Sequence, residues 1–341
     1  MKLFIVGSDK VYAIENFYVK YLREAGVDVF HFPAQSYFYD FYHWNVSHKI
    51  IFKLGLSGIF KQINNRLKEE ATRFAPDVIW VFKGMEILPA TLQWAKKRGI
   101  KLVNFNGDNP FLFSGKGSGN KNVSRSIRFF DLHLTYNTEV QKEMEETWQI
   151  LTGILPFGFN IEDALFEKCC QQTEIVKACF LGNPDNYRGT FLQELAGRGV
   201  QIDLYGNNWD RFVSHPNIQV FQPVYGDDFW LTLRRYRLQL NIMRPHNPNT
   251  HNMRSFEIPG VGGIQLAPAT NDHQLYFEPG VDIYLYQDLD DCVSAAKKIL
   301  ALPQNEADAI RQNARDRSLR CGYSYRDRAT QALRQIEHIL G

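Results

Sequence analysis

The sequence predicts an α/β protein with two doubly wound domains, each built on a parallel sheet. The chain has 341 residues, which is more than one hydrophobic core usually supports. Short apolar runs alternate with longer amphipathic runs, the pattern of parallel strands covered by helices. This alternation stops after residue 155 and starts again at residue 177, so two such sheets are expected.

The first domain is expected to alternate strands with helices. Short apolar runs predict strands at residues 3–6, 27–30, 78–82, 101–105, 132–135 and 153–155. Longer runs with helical spacing predict helices at residues 12–25, 57–74, 89–98 and 138–147. A less regular segment at residues 160–173 follows, and we expect it to be the linker between the domains.

The second domain repeats the pattern and ends in two helical stretches. Its strands are expected at residues 177–181, 202–205, 218–221, 238–242, 264–266 and 283–285. The terminal helical stretches are residues 305–319 and 325–339. In sheets of this kind the ligand binds beyond the carboxyl ends of the strands, so loops at those ends are the places to search for a site.

Composition argues against several classes of protein. With 44% hydrophobic and 22% charged residues the chain is an ordinary globular protein. A net charge of +2, from 39 basic and 37 acidic residues, lacks the basic excess of a nucleic-acid binder. The histidines and cysteines lack metal-ligand spacing, so no metal site is expected.

Cysteine usage and apolar run lengths favour a cytoplasmic protein. The five cysteines are an odd number and include one adjacent pair, which suits a reducing compartment better than a disulfide framework. The first apolar run, residues 3–6, is too short for a signal peptide, and none approaches the ~20 residues that cross a bilayer. We therefore expect a cytoplasmic protein that contacts membranes at most peripherally.

The segment from residue 247 to residue 266 carries the strongest functional signal. Arg254 and Glu257 are three residues apart, so they share one face of a helix. The cation suits a phosphate, and the carboxylate suits two hydroxyl groups, as in a nucleotide's diphosphate and ribose. Gly262 and Gly263 follow before a short apolar strand and would allow a sharp turn or close approach of a ligand.

The order of these residues resembles a known family. Arg254-Ser-Phe-Glu257, the glycine pair, the apolar strand and the later run from Phe277 to Tyr284 look like the donor half of GT-B glycosyltransferases. The bacterial spore-maturation (CgeB-like) group is the most similar. In the wider group with a Glu-x7-Glu motif, the second Glu contacts the donor ribose, and Glu257 matches it. Asn249 stands in the place of the first Glu.

The resemblance implies a fold, a domain plan and an activity. It implies GT-B architecture: two Rossmann-like domains that face a cleft, with the C-terminal helix crossing back to the first domain. Residues 1–160 would form the acceptor side, residues 174–322 the donor domain and residues 323–341 the returning helix. The activity implied is hexosyltransferase-like: a sugar moves from a nucleotide-diphosphate sugar, without a metal and with retention, to an unidentified glycan, lipid-linked glycan or protein, as in polysaccharide biosynthesis. No cofactor is implied beyond the donor substrate.

Three further loops of the second domain supply candidate donor contacts. Gly182 and Arg188 stand between a strand and a helix, where the family grips the diphosphate, although a turn capped by Asp185 or Asn186 explains this loop equally well. Tyr205 and Gly206 end the next strand and either pack in the core or contact the base.

The third loop follows the strand at residues 238–242. Arg244 adds a cation for phosphate at the same edge of the sheet. His246 follows it, and a lone His beside a proline is more often a surface or packing residue than a catalytic one.

The first domain contributes one candidate base, Asp108. It lies in the loop after the strand at residues 101–105, and it either caps the next turn or takes a proton from an acceptor hydroxyl. The Asp-x-Pro that the family has here favours the base. Lys83, Gly84 and residues 7–9 would line the same cleft, while the glycine-rich tract at residues 115–120 lacks phosphate-loop spacing and is expected to be a plain loop or lid.

Residues 37–60 are aromatic, apolar and basic. An α/β helix needs an apolar face for its core, which favours packing, but the same composition suits a helix lying on a membrane surface. Two other functions are kept open: a GT-B nucleotide-sugar 2-epimerase, and a non-catalytic sugar-nucleotide-binding or coat-assembly protein.

Overall fold

The computed structural model describes residues 1–113, 118–244 and 249–341. Two compact units are present, each with its own sheet. The first comprises residues 1–156 together with residues 326–341, and the second comprises residues 157–325. The α/β fold class predicted from the sequence is confirmed, because each unit is a six-stranded parallel sheet covered by helices.

The first unit contains all six predicted strands. They are β1 Lys2–Val6, β2 Asp28–Phe32, β3 Val78–Phe82, β4 Lys101–Phe105, β5 Leu132–Thr135 and β6 Thr152–Ile154. Their order across the sheet is β2-β1-β3-β4-β5-β6, and every neighbouring pair is parallel. Because the chain moves from β1 outward to β2 and then back to β3, the connections diverge between β1 and β3. This is the topological switch point of the first sheet.

Seven helices accompany these strands among the described residues before the second unit begins. They are α1 Glu15–Glu24, α2 Ala34–Trp44, α3 Val46–Lys53, α4 Ile59–Phe74, α5 Pro89–Lys96, α6 Lys121–Ser126 and α7 Thr138–Trp148. α4 shows how sequence sets packing, since Ile59, Ile63, Leu67 and Ala71 recur every four residues and are all buried. They pack with Phe4 and other core residues of the sheet.

The second unit has the same plan. Its strands are β7 Ile175–Leu181, β8 Ile202–Tyr205, β9 Ile218–Phe221, β10 Tyr236–Leu240, β11 Gln265–Pro268 and β12 Tyr284–Tyr286. The order is β12-β11-β10-β7-β8-β9, with all pairs parallel. The chain leaves β7 toward β8 on one side, and β10 continues to β11 on the other. The switch point of this sheet therefore lies between β7 and β10.

Seven helices belong to the described part of the second unit. They are α8 Asp163–Cys170, α9 Asn186–Gly197, α10 Asp227–Arg235, α11 Arg254–Gly260, α12 Asn271–Tyr276, α13 Leu289–Leu300 and α14 Gln304–Arg320. α8 occupies the stretch that the sequence predicts to be an irregular linker. It is a helix because Leu165, Phe166 and Cys169 share one face, and it packs against α10.

The last helix, α15 Tyr325–His338, groups with the first sheet from residue 326 onward. The side chains of Gln331 and Gln335 donate hydrogen bonds to the carbonyl of Ile154, at 3.0 Å and 3.2 Å. Ile336 is fully buried. None of the helices among the described residues is long and apolar enough to cross a membrane.

Candidate functional site

The switch point of the second sheet brings two arginines together from distant parts of the chain. Arg254 begins α11, after β10, and its Nε donates to the carbonyl of Leu181 at the end of β7, at 3.1 Å. Arg188 in α9, after β7, reaches the opposite way. Its Nε and Nη2 donate to the carbonyl of Ile242, just beyond β10, at 3.1 Å and 2.8 Å. The two guanidinium groups therefore cross the switch point and hold its two loops.

Arg254 also pairs with Glu257, as the three-residue spacing predicts. Its Nη1 donates to Oε2 of Glu257. The Arg254 guanidinium carbon lies 4.5 Å from the centroid of the Phe229 ring. The Arg254 side chain is 26% exposed and the Glu257 side chain 10%, so both are shielded but accessible. This arrangement can present a cation and a carboxylate to one ligand.

A third arginine adds to the charge. Arg244 follows β10, and its Nε lies 3.6 Å from Oδ2 of Asp185, which is itself 3.7 Å from Nε of Arg188. The pKa of Arg188 is lowered to about 10, chiefly by burial; the negative charge of Asp185 opposes this shift, and the positive charges of Arg244 and Arg254 add to it. We call Arg188, Arg244 and Arg254 the arginine cluster. With Asp185 and Glu257 its formal charge is plus one, which favours an anionic ligand.

Asp185 also has the capping role that the sequence left as an alternative. Its Oδ1 accepts from the backbone N–H of Arg188 at 2.9 Å and caps α9. The cap and the arginine contacts coexist in one loop. The capping alternative is therefore present in the structure, and the role of Gly182 and Arg188 in gripping a diphosphate stays a prediction.

A cavity of about 490 Å³ lies at the carboxyl ends of β10, β11 and β12. Arg244 and Asn249 line it, and so do side chains that sequence reasoning missed: Tyr187, Thr270, Gln274, Tyr286 and Gln287. Its volume is in the range of small-molecule sites, ~300–1,000 Å³. The rule that ligands bind beyond the carboxyl ends of parallel strands could have found Tyr286 and Gln287, because they end β12 and follow it.

Buried polar side chains connect the first turn of α11 to α12 and to the end of β11. The hydroxyl of Ser255 lies 2.7 Å from Nε2 of His273, and Nδ1 of that ring lies 2.8 Å from the carbonyl of Pro268. Since a carbonyl only accepts, Nδ1 carries the proton and Nε2 accepts from Ser255. Burial lowers the pKa of His273 to about 4, which keeps the ring neutral. The network holds Ser255, the neighbour of Arg254 in α11, and no sequence pattern revealed it.

Tyr205 and Gly206 have clear packing partners. The Tyr205 ring stacks on Phe221 with the centroids 4.8 Å apart, and its hydroxyl lies 2.8 Å from that of Tyr236. A Cβ on Gly206 would lie 2.3 Å from the carbonyl oxygen of Gly182, which accepts from Trp209 Nε1 at 2.9 Å. These contacts explain Gly206 by close packing, and a role for Tyr205 and Gly206 in base binding stays a prediction.

Gly262 and Gly263 lie at the other end of α11 from Arg254, before β11 begins. Gly262 has a φ of +68°, which favours glycine. A Cβ on Gly263 would lie 2.8 Å from Cγ2 of Ile258 and 2.9 Å from Oε1 of Gln239. The helix needs the glycine pair in order to turn into the strand, and their donor-binding role also stays a prediction.

In the first unit, Asp108 is paired with Lys83. The Lys83 ammonium lies 2.5 Å from Oδ2 of Asp108, and the Asp108 backbone N–H donates to Oδ1 of Asn106 at 3.0 Å. Lys83 follows β3 with a φ of +61°, and Asp108 follows β4, so both lie at the carboxyl edge of the first sheet. The structure thus brings together two residues that the sequence placed in separate loops.

Two predicted features lie wholly or partly outside the described residues. His246 is one, and residues 115–117 of the glycine-rich tract are the other. Within the described ranges, no group of three or more His, Cys, Asp or Glu side chains is placed to hold a metal ion.

Comparisons with known proteins bear on this geometry. Residues 188–334 match a family model described as glycosyl transferase-like, a segment that holds the arginine cluster and Glu257. No curated protein sequence matches the chain. Among solved structures, sucrose-phosphate synthase from Thermosynechococcus elongatus superimposes with a TM-score of 0.71 at 11% identity, over 99% of both chains.

Two further structures are similar. Anabaena HepE in complex with UDP-glucose has a TM-score of 0.67 and 12% identity, over 99% of this chain and 100% of that one. A Listeria monocytogenes protein assigned as a UDP-N-acetylglucosamine 2-epimerase has a TM-score of 0.58 and 12% identity, over 98% and 95%. At these identities the matches show the fold alone, and that fold is GT-B.

Proposed function

We propose that this protein is a glycosyltransferase that takes its sugar from a nucleoside-diphosphate sugar bound at the carboxyl edge of the second sheet. The observation that carries the proposal is the arginine cluster beside Glu257 at the switch point between β7 and β10. The match of residues 188–334 to a glycosyl transferase-like family supports it. So does the GT-B fold shared with a protein whose structure holds UDP-glucose.

The arginine cluster is assigned to the diphosphate. When the bond between sugar and diphosphate breaks, negative charge grows on the phosphate oxygens, and fixed cations stabilise it without reorganisation. Arg188 and Arg254 are held by backbone carbonyls, so their positions are set before the donor arrives. Arg244 is 45% exposed and can turn toward the ligand. Gly182 lies in the loop that leads into α9, the helix that carries Arg188.

Glu257 is assigned to the ribose. Its Oε2 is taken by Arg254, and a carboxylate has about four lone-pair sites, so Oε1 can still accept from ribose hydroxyls. The cavity beside Arg244 and Tyr286 offers room for the remainder of the donor. In the first unit, Asp108 is assigned as the base toward the acceptor, with Lys83 holding its carboxylate.

The finer parts of the proposal come from the family resemblance. They are membership of the CgeB-like group, hexosyl transfer, retention of configuration, independence of a metal or other cofactor, and a glycan, lipid-linked glycan or protein as acceptor. Asn249 lines the cavity where the wider group has its first Glu. An amide can donate hydrogen bonds to sugar hydroxyls as well as accept them, whereas an ionised carboxylate only accepts.

We also propose that the first unit docks on anionic membranes through residues 44–56, the exposed apolar segment. Trp44, Val46, Ile50, Leu54 and Leu56 are each more than half exposed, and α3 has no buried residue. The Phe52 side chain of α3 packs against α2, because its ring centroid lies 4.9 Å from that of Phe38. Core packing and membrane contact, the two alternatives for residues 37–60, therefore concern different faces of the segment. One face packs on the core, and we assign the other to the bilayer surface.

Charge selects an anionic bilayer as the partner of this face. Lys49, Lys53 and Lys61 lie in or just beyond the segment, while the nearby Asp40 is 3.7 Å from the ammonium of Lys10. A basic and apolar surface binds anionic lipid through both electrostatic attraction and burial. Such docking would bring a cytoplasmic enzyme to a lipid-linked acceptor.

The proposed activity is tested with purified protein and a panel of UDP-, GDP- and dTDP-sugars. We expect the free nucleoside diphosphate to be released from one donor of the panel, faster than from donor alone. Formation of a 2-epimer would identify the protein as an epimerase instead. Nucleotide binding with no turnover of any donor would favour the non-catalytic binding protein.

A further inference from the structure

Another cavity lies at the amino edge of the first sheet, at the opposite ends of its strands from the Lys83 and Asp108 pair. Its volume is about 340 Å³, within the range of small-molecule sites, ~300–1,000 Å³. The start of β5, the start of β6 and the helix α15 supply the lining residues, which are Leu132, Leu151, Thr152, Arg334, Gln335 and His338. All six belong to the first unit, whereas the proposed donor site lies in the second.

Arg334 brings an unpaired positive charge to this cavity. It is exposed, and it has neither a hydrogen bond nor an ion pair with any residue that the structure describes. The other two arginines of α15 do have partners: Nη2 of Arg326 lies 2.8 Å from Oε2 of Glu24, and Arg328 donates to a glutamine side chain at 3.3 Å. His338 follows Arg334 by four residues, so the two share one face of the helix. A guanidinium and an imidazole N–H are therefore available to one ligand.

Two carboxylates next to the strand residues of the cavity already have partners. Oε1 of Glu145 accepts from the hydroxyl of Thr152. Oδ1 of Asp131, the residue before β5, lies 3.1 Å from the ammonium of Lys96. Neither acid pairs with Arg334, so the charge of Arg334 is left for a ligand.

Gln335 forms a fixed wall of the cavity. Its Nε2 donates to the carbonyl of Ile154 at 3.2 Å. A Cβ on Gly153 would lie 1.7 Å from its Oε1, so the amide can lie against β6 because residue 153 is a glycine. Leu132, 3% exposed, and Leu151, 51% exposed, add apolar surface. The cavity thus combines a rigid wall and an apolar surface with a cation.

This combination fits a small monocarboxylate with an apolar body. A guanidinium binds a carboxylate through two parallel N–H groups. One unpaired cation balances one negative charge, whereas a phosphate monoester carries about 1.5–2 negative charges at neutral pH. The two leucines favour an alkyl or aryl body, because the Thr152 hydroxyl is already bonded to Glu145 and apolar surface gains by leaving water.

We propose that the cavity between α15 and the amino ends of β5 and β6 binds a small apolar monocarboxylate. Arg334 and His338 donate to its carboxylate, and Leu132 and Leu151 contact its apolar body. The bound molecule bridges α15 and the sheet, so it stabilises the folded first unit. This inference goes beyond the proposed function and does not depend on it, because it concerns a second ligand and a different unit.

The test is binding of hexanoate to the full chain, with Arg334→Gln as the variant and Arg125→Gln as the matched control. Arg125 is an exposed arginine on α6 of the same unit and is likewise without a partner in the described part of the chain. Titration by saturation-transfer NMR measures the affinity. We expect hexanoate to bind the wild type and the control, and to bind Arg334→Gln at least ~10-fold more weakly, since hydrogen bonds to a charged group are lost.

Two analogues of hexanoate test the class of ligand. Hexan-1-ol lacks the charge, and hexyl phosphate carries a larger one. Both should bind the wild type at least ~10-fold more weakly than hexanoate does, because only hexanoate matches one guanidinium in charge and shape. Equal binding of hexan-1-ol would show that the charge of Arg334 plays no part, and tighter binding of hexyl phosphate would refute the carboxylate assignment.

Thermal stability gives an independent measurement. Hexanoate should raise the melting temperature of the wild type and of Arg125→Gln but not that of Arg334→Gln, because a ligand that binds the folded state stabilises it. No binding of hexanoate to the wild type at millimolar concentration would overturn the inference, as would unchanged binding by Arg334→Gln. Loss of binding in Ile50→Ser with Leu54→Ser would also overturn it, because hexanoate would then lie on the exposed apolar segment.

Discussion

At the scale of single residues, Arg254 and Glu257 carry most of the nucleotide proposal. They pair with each other, and Arg254 is further held by the carbonyl of Leu181 and the ring of Phe229. These contacts orient the two groups before a ligand binds, which reduces the conformational entropy lost on binding. Substitution separates a ligand-binding role of these two residues from a purely structural one.

Glu257→Gln keeps the size of the side chain and removes its charge. Two ribose contacts would weaken, and because hydrogen bonds to a charged group contribute roughly 1.5–3 kcal/mol each, affinity for the nucleoside diphosphate should fall at least tenfold. Titration calorimetry measures the affinity, and circular dichroism checks the fold. A 2′-deoxynucleotide should lose less on this substitution than the ribonucleotide, because one partner is already missing.

An unchanged nucleotide affinity in Glu257→Gln would make Glu257 a structural partner of Arg254. Unfolding of the variant would lead to the same conclusion. Glu278→Gln is a suitable control, because Glu278 is an exposed carboxylate of the same unit that also pairs with an arginine, Arg317, at 3.0 Å.

Asp108→Asn tests the base on the acceptor side. The amide keeps the shape but cannot take a proton, and loss of a positioned base typically lowers the rate by about 10² to 10⁴. We expect transfer to fall by that factor while nucleotide affinity stays the same. Steady-state release of nucleoside diphosphate with acceptor present measures it, and turnover near the wild-type value would remove Asp108 from the mechanism.

At the scale of elements, α3 and the residues that flank it are unusual because they expose large apolar side chains on the surface of the first unit. Five large apolar side chains of the exposed apolar segment face outward over thirteen residues, while the rings of Phe38, Phe52 and Phe60 contact one another on the inner side. Contiguous apolar surface of this kind indicates a binding face in a folded protein.

The membrane proposal is tested with vesicles of phosphatidylglycerol and phosphatidylcholine. The protein should cosediment with the anionic vesicles at low salt and dissociate as salt screens the lysines. Ile50→Ser with Leu54→Ser should weaken binding about tenfold or more, since burying one such side chain contributes roughly 1.5–3 kcal/mol. Leu275→Ser, at a 74% exposed leucine of the second unit, is the control.

Absence of binding to anionic vesicles at low salt would refute the proposal, as would equal binding by the double variant. Sedimentation of the protein without lipid checks the alternative occupant of this face. A dimer that the double variant abolishes would identify a second copy of the chain as its partner.

At the scale of the whole molecule, residues 326–341 belong to the same compact unit as residues 1–156. α15 groups with the first sheet, and its Ala329, Ala332 and Ile336 are buried. Ile336→Ala should lower the free energy of unfolding by about 2–5 kcal/mol, as for other large-to-small changes in a core. Chemical denaturation measures it, with Glu337→Ala, at the exposed neighbour, as control. An unchanged free energy of unfolding in Ile336→Ala would mean that the packing of α15 does not stabilise the first unit.

Much of the fold could be predicted from local patterns in the sequence. All twelve strands were expected, because buried parallel strands are short apolar runs that need no distant information. α8 was missed because a helix of eight residues has too few turns to show its period clearly. α3 was missed as a separate helix, since the break at Asn45 lies within a continuous aromatic run.

The candidate site, like the fold, could be predicted from the sequence only in part, and the reason is physical. Spacing alone determined that Arg254 and Glu257 share a helical face, because a helix repeats every 3.6 residues wherever it lies. Only the tertiary structure decided that Arg188 and Arg254 cross the switch point and that Glu86 is buried beside Lys83. The crossing depends on strand order, which places residues 54 and 73 positions apart within hydrogen-bonding distance and which no local pattern encodes.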